Sequence, residues 1–247
     1  MRFHEFGNRG RKSVMLIHGL GTTWEKSFGK LIPLLAADFH VVAAGLDGHD
    51  PEEETDYTNG EQEAEQVEAY IQHNLGGKLD VICGSSLGCI TALLTAYRRN
   101  VIVGNIVLDG TADMSLGIFN KPASKFAGWF GEQVLKGKMN WFLKLGGITP
   151  KMLDELLYAD ISRKTLENAF YDAASLFSHI DKMEPYAGVR LACWYGTNEK
   201  LAAKGAKKIR KVFPNGKDTL FAGFGHGEIL LHPEQYCKAL QIFLEEA

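Results

Sequence analysis

Along the chain, short apolar runs rich in β-branched residues alternate with longer segments whose apolar positions recur at helical period. The runs fall near residues 13–18, 40–46, 79–84, 102–109, 190–196 and 219–222, and they predict strands. Val14-Met15-Leu16-Ile17 has no polar interruption, as expected of a strand covered on both faces. Helices are predicted over 26–37, 60–74, 87–98, 201–212 and 233–246. In 60–74, Ala64, Val67 and Ile71 share one side while glutamates occupy the other. This alternation predicts an α/β fold, a mostly parallel central sheet flanked by helices on both faces.

One stretch breaks the alternation. From 113 to 188 no run reads as a strand, and helix-like segments carry many aromatics, Trp129, Trp141, Phe142 and Phe170 among them. Glycines interrupt these segments, and Pro122 and Pro150 suit helix starts. The expected organisation is a core domain made of 1–112 and 189–247, with an all-helical cap inserted at 113–188. Such an insertion reads as a lid over the carboxyl ends of the strands, where sheets of this kind bind ligands.

Composition narrows the class. At 247 residues, 45% hydrophobic and 23% charged, the chain is long enough to bury a core without metal or disulfide staples. A net charge of −3 provides no basic footprint for nucleic acid. The main basic cluster, Lys204, Lys207, Lys208, Arg210 and Lys211, lies at helical spacing and reads as a solvated helix face. Cys83, Cys89, Cys193 and Cys237 form no C-x-x-C pair and no metal-ligand spacing with histidine, so no metal is expected. Cys83 and Cys193 fall in strand-like runs and are expected to be buried. The N-terminus lacks the apolar core of a signal peptide, and no stretch reaches the ~20 apolar residues of a membrane helix. A cytoplasmic protein with reduced thiols and no membrane association is the expectation.

Three strings carry chemistry. The first is Gly84-Ser85-Ser86-Leu87-Gly88, a G-x-S-x-G sequence directly after a predicted strand and directly before a predicted helix. A serine on such a sharp turn needs small neighbours, and the following helix N-terminus favours developing negative charge. Ser86 is therefore the candidate nucleophile. The second is His18-Gly19-Leu20-Gly21, a loop able to aim a second N–H at the same oxyanion. The backbone amides of Leu20 and Leu87 are the candidate oxyanion donors, and His18 is expected to hydrogen-bond the loop. The third is Gly223-Phe224-Gly225-His226-Gly227, after the last predicted strand, which makes His226 the candidate general base. The carboxylate that orients such a histidine is Glu199, just beyond the strand at 190–196, or Asp109, at the end of the strand before the cap. His49, His18 and Trp129 are tentative pocket residues, and His232 is expected at the surface.

Together these strings resemble the α/β-hydrolase superfamily, in particular compact members with a helical cap. The likeness spans nearly the whole core: His18-Gly19, the 84–88 turn, Gly196-x-x-Glu199 and Gly225-His226. The order Ser86, Glu199, His226 matches the serine–acid–histidine order of that family. Two positions depart from it. The loop after the second predicted strand reads Gly45-Leu46-Asp47-Gly48-His49-Asp50-Pro51 rather than Asp-x-x-Gly-His-Gly, and the acid is a glutamate where aspartate is commoner.

The resemblance implies acyl transfer to water without metal or organic cofactor. The implied partner is a small-molecule ester-type substrate with a small or medium apolar acyl group. Carbon–carbon bond hydrolases and lyases share these motifs, and an arginine or lysine facing the substrate is what would set them apart. A ligand-binding module on the same fold is the non-catalytic alternative.

Overall fold

The computed structural model describes residues 1–138 and 154–245. Seven strands form one sheet: β1 Arg2–Phe6, β2 Ser13–Ile17, β3 His40–Gly45, β4 Lys78–Ser85, β5 Ile102–Asp109, β6 Arg190–Gly196 and β7 Lys217–Phe221. Their spatial order is β1-β3-β2-β4-β5-β6-β7. Only β1 runs antiparallel, against β3; every other pairing is parallel. The helices are α1 Trp24–Phe28, α2 Ile32–Ala36, α3 Gly60–Asn74, α4 Gly88–Arg98, α5 Asn120–Leu135, α6 Arg163–Ile180, α7 Lys200–Val212 and α8 Pro233–Glu245.

Side chains of a strand alternate between faces, so each central strand supplies two cores. Met15 and Ile17 of β2 pack with Val67, Ile71 and Leu93 from α3 and α4. Val14 and Leu16 turn the other way, against Phe28, Leu35 and Leu240 from α1, α2 and α8. All four β2 side chains are fully buried, which is why the run carries no polar residue. Cys83 and Cys193 are buried in these cores, as their apolar surroundings predicted.

Two predicted elements need correction. Residues 26–37 are not one helix but two, because Pro33 has no N–H to donate and its ring crowds the preceding turn. Strand β1 was not anticipated. Its residues are half-buried and mostly polar, since it is an edge strand paired only with β3. Its Glu5 is tied to Arg9, His40 and Tyr70, and these partnerships keep the polar side chains on the sheet.

Between β5 and β6 the described residues hold a short 3-10 turn and the helices α5 and α6. Trp141, Phe142 and Pro150 lie outside the described residues.

The basic face of α7 is less solvated than its spacing predicts. Lys204 and Lys208 pair with Asp113 at 2.9 and 3.2 Å, and Arg210 pairs with Asp218 at 2.9 Å. The Asp113 side chain is 0% exposed, so these lysines clamp the segment after β5 onto α7. Burial disfavours the Asp113 charge, but Lys204, Ser115 and Lys208 outweigh it and hold the carboxyl well below the usual range. A depressed pKa contributes stability that is present above the ordinary carboxyl pKa and lost as pH falls toward the folded-state value. Asp113→Asn should therefore lower stability at pH 7 by about 1–3 kcal/mol in urea unfolding. The gap to wild type should shrink below about pH 4; a pH-independent gap would show that charge is not its source.

Candidate active site

The carboxyl ends of β4, β5 and β6 are in register, with Ser85 opposite Asp109 and Asp109 opposite Trp194. The chain leaves β4 through Ser86, whose φ of +50° is one of two positive values at non-glycine residues among those described. A β-carbon in that region is strained by about 1–2 kcal/mol, and the surroundings hold the turn in place. The Ser86 amide donates to the Asp109 carbonyl at 2.8 Å, and α4 starts two residues later. A β-carbon at Gly84 would lie 2.5 Å from the Gly88 carbonyl oxygen, and one at Gly88 would lie 2.4 Å from that of Ile17. Both glycines are required by the close approach of β2, β4 and α4, not by their own torsions.

The loop after β2 lies directly against this turn. A β-carbon at Gly19 would sit 3.0 Å from Ser86 Cβ and 3.8 Å from Ser86 Oγ. His18 controls the loop's orientation. The Leu46 amide donates to His18 Nε2 at 3.1 Å, so the ring proton is on Nδ1, which donates to the Gly19 carbonyl at 2.8 Å. A trans peptide points its C=O and N–H in opposite directions. Gripping the Gly19 oxygen therefore turns the Leu20 N–H away from His18. Burial, followed by the neighbouring His49, pushes the His18 pKa down to about 3, so the ring stays neutral and the grip persists at ordinary pH.

His226 stands over the Ser86 turn. Its Nε2 is 2.9 Å from Ser86 Oγ, and its Nδ1 is 2.8 Å from Glu199 Oε1. The other Glu199 oxygen accepts the Gly196 amide at 2.6 Å, which fixes the carboxylate. The loops carrying Glu199 and His226 are laced together by residues whose importance the sequence reading missed. The Gly223 amide donates to Thr197 Oγ1 at 2.9 Å, and Asn198 Nδ2 donates to the Gly223 carbonyl at 2.8 Å. The detectable signal was two turn-forming polar residues, Thr and Asn, immediately before the acid. Gly110 was missed as well. Its φ is +73°, and a β-carbon there would meet His226 Cε1 at 2.8 Å, so the imidazole rests on bare backbone.

Asp109, the competing acid, does not bond His226. Its carboxylate accepts the Ser85 hydroxyl at 3.0 Å, beneath the pair. Burial, then the charge of Glu199, pushes its pKa up to about 7, against the pull of His226 and Ser85. Burial also opposes charging of His226, but the Glu199 hydrogen bond and the charges of Glu199 and Asp109 raise its pKa above 6.5.

A cavity of about 390 Å³ opens on Ser86 and His226. Leu87, just before α4, and Ile90 of α4 line it together with Ala169, Phe170, Ala173 and Leu176 of α6. Leu20, Thr111 and Met114 complete the rim, and the described lining contains no Asp, Glu, Lys or Arg. The three side chains expected in a pocket lie elsewhere. His18 and His49 are buried side by side, ring centroids 5.3 Å apart, beneath the loops they brace. Trp129 is 41% exposed on α5, against Phe126. His232 is half-buried and stacks on Phe224 rather than standing free at the surface. Among the described residues no cluster of three or more His, Cys, Asp or Glu side chains is arranged to hold a metal, and no helix is long and apolar enough to cross a membrane.

This geometry sets an order for the two acids, readable from the rate at which a fluorophosphonate labels Ser86. Labelling of wild type should rise with pH through a His226 pKa above 6.5, because only the neutral ring accepts the serine proton. Glu199→Gln should slow labelling by about 10²–10⁴-fold and move the limb to lower pH. Asp109→Asn should move the limb the same way but slow labelling by less than about tenfold, or ~1.4 kcal/mol. The reverse ranking would make Asp109 the working acid.

The fold has relatives of known structure. A protein from Desulfitobacterium hafniense described as a member of the alpha/beta hydrolase family is 23% identical, with a TM-score of 0.87 over 98% of this chain and 100% of that one. The esterase RhEst1 from Rhodococcus sp. ECU1013 is 17% identical, with a TM-score of 0.75 over 98% and 94%. MenH from S. aureus is 16% identical, with a TM-score of 0.73 over 99% and 98%. The profile of the Alpha/beta hydrolase family matches residues 14–239, and the chain belongs to that family.

Proposed function

We propose that this hydrolase cleaves carboxylic esters of a small or medium apolar acyl group through an acyl-enzyme on Ser86. The observation that carries the reading is the continuous chain Ser86 Oγ–His226 Nε2 and His226 Nδ1–Glu199 Oε1, at 2.9 and 2.8 Å, at a cavity whose described lining holds no Asp, Glu, Lys or Arg. His226 removes the serine proton as Ser86 attacks the ester carbonyl, and it returns that proton to the departing alcohol. Glu199 holds the Nδ1 tautomer and stabilises the imidazolium.

The amides of Leu20 and Leu87 receive the oxyanion. Among the described residues neither donates to a protein acceptor, and Leu87 sits at the N-terminus of α4, where the helix dipole favours negative charge. Water activated by the same histidine then releases the acid. Residues 113–188 act as the cap that screens this chemistry from solvent.

The esterase RhEst1 is consistent with an ester substrate, but at 17% identity it supports no more than the fold. The absence of Arg and Lys from the described lining favours an ester over an anionic substrate of the carbon–carbon hydrolases or lyases, which such a residue would be needed to hold. The completeness of the Ser86–His226–Glu199 chain speaks against a purely ligand-binding module.

The test is hydrolysis of p-nitrophenyl esters from acetate to decanoate. Wild type should show a rate maximum at one chain length, and Ser86→Ala should lose at least about 10³-fold. Unchanged turnover in Ser86→Ala would remove the nucleophile assignment. A wild type that labels with fluorophosphonate yet cleaves no ester would move the reaction to carbon–carbon bonds.

A further inference from the structure

Helix α6 carries two adjacent stripes with different tasks. Thr165, Asn168 and Asp172, spaced i, i+3 and i+7, lie on one line of the helix, and all three bond one buried residue of the core, Tyr57. The Tyr57 amide donates to Thr165 Oγ1 at 3.0 Å, and Asn168 Nδ2 donates to the Tyr57 carbonyl at 2.9 Å. The Tyr57 hydroxyl donates to Asp172 Oδ2 at 2.6 Å. Both backbone groups and the hydroxyl of a 0% exposed tyrosine are thus held by one helix.

The neighbouring stripe, Ala169, Ala173 and Leu176, spaced i, i+4 and i+7, lines the cavity together with Phe170 of the same helix and with Leu87 and Ile90.

Gly60 links the two. Its amide donates to the same Asp172 oxygen at 2.6 Å. A β-carbon on Gly60 would lie 2.5 Å from Ile90 Cγ2 and 3.0 Å from Asp172 Oδ2. Gly60 is therefore the spacer between Asp172 on α6 and Ile90 of α4, which lines the cavity. The distance across the cavity depends on a residue with no side chain and on one carboxylate that binds both it and Tyr57.

We propose that the Ala169–Ala173 face of α6 is the acyl-length selector of this site, and that the Tyr57–Asp172–Gly60 clasp is the device that holds this face at its distance from Ile90. The inference rests on the reading of the cavity as an acyl pocket. Ala169 and Ala173, at i and i+4, carry no side chain beyond a β-carbon, so beside Phe170 they leave room for an acyl chain along α6, and any larger side chain at 173 takes up that room. Tyr57 and Asp172 act as positioning residues, since neither lines the cavity.

The experiment measures the rate at which p-nitrophenyl alkylphosphonates, with methyl to decyl on phosphorus, label Ser86, in parallel with the ester series. Ala173→Leu should lower the decyl-to-methyl rate ratio at least tenfold. Ala173→Val, a smaller intrusion, should lower it less and guards against a fold defect in the leucine variant. Tyr57→Phe, studied well below its own Tm, should flatten the decyl-to-methyl ratio by at least threefold, a selectivity change that uniform destabilisation does not produce. An alkyl-length profile unchanged in Ala173→Leu and Ala173→Val overturns the selector. A profile unchanged in Tyr57→Phe overturns the clasp. Sensitivity of these variants to the alcohol rather than the acyl group of an ester series also overturns the selector. If wild type cleaves no ester while the phosphonate profile still responds to Ala173, the ester reading fails and the selector stands.

Discussion

The site depends on one close approach. Strand β2, strand β4 and the first turn of α4 converge so tightly that a β-carbon at Gly84 or Gly88 would fall 2.4–2.5 Å from a carbonyl oxygen. That convergence forces the chain through Ser86 in the left-handed region, with its amide tied to the Asp109 carbonyl. The serine pays in local strain of a size the packed sheet beneath it readily offsets. In return its hydroxyl stands clear of β4, within reach of His226 and beside the Gly19 loop. Each further element of the site is placed relative to that turn: Gly110 supports the imidazole, and His18 orients the peptide that follows Gly19.

Electrostatics divides two carboxylates between two tasks. Glu199 bonds the ring and keeps its second oxygen on a backbone amide, whereas Asp109 is enclosed with a hydroxyl as its side-chain partner. Burial drives Asp109 toward its protonated form, and the nearby charge of Glu199 adds to that. Two negative charges under one imidazole would repel each other in a low-dielectric interior. The site therefore bonds one carboxylate to the ring and buries a second whose pKa is pushed up to about 7. That second group shares the base's electrostatic environment without sharing its hydrogen bond.

Rigidity of the cavity comes from polar contacts placed behind apolar walls. The wall residues of α6 are two alanines, a phenylalanine and a leucine, apolar side chains that make no directional bonds of their own. Direction comes from the parallel line of Thr165, Asn168 and Asp172, whose bonds to Tyr57 accept few geometries. The lacing of Thr197 and Asn198 to the loop of His226 follows the same logic, with fixed polar contacts within two residues of Glu199.

Much of this was legible in the chain. Runs such as Val14–Ile17 marked the doubly covered strands, because burial on both faces leaves no tolerance for polar residues. The G-x-S-x-G string marked the turn, because steric crowding there admits only glycine. Gly196-x-x-Glu199 and Gly225-His226 marked loops at strand ends. Local pattern was not enough elsewhere. It favoured Glu199 but kept Asp109 as a competitor, since each ends or follows a strand, and only the paths of two loops through space put Glu199 on Nδ1. It assigned His49, His18 and Trp129 to a pocket, but burial depends on what packs above a residue, and that is contributed by distant segments. It missed β1, whose polar residues are retained by partners up to 65 positions away, as Tyr70 is for Glu5. Sequence alone determined which groups the chemistry has and that they stand at strand ends. Distances, protonation and the shape of the cavity were decided by tertiary structure, because each is a sum over neighbours that are remote along the chain.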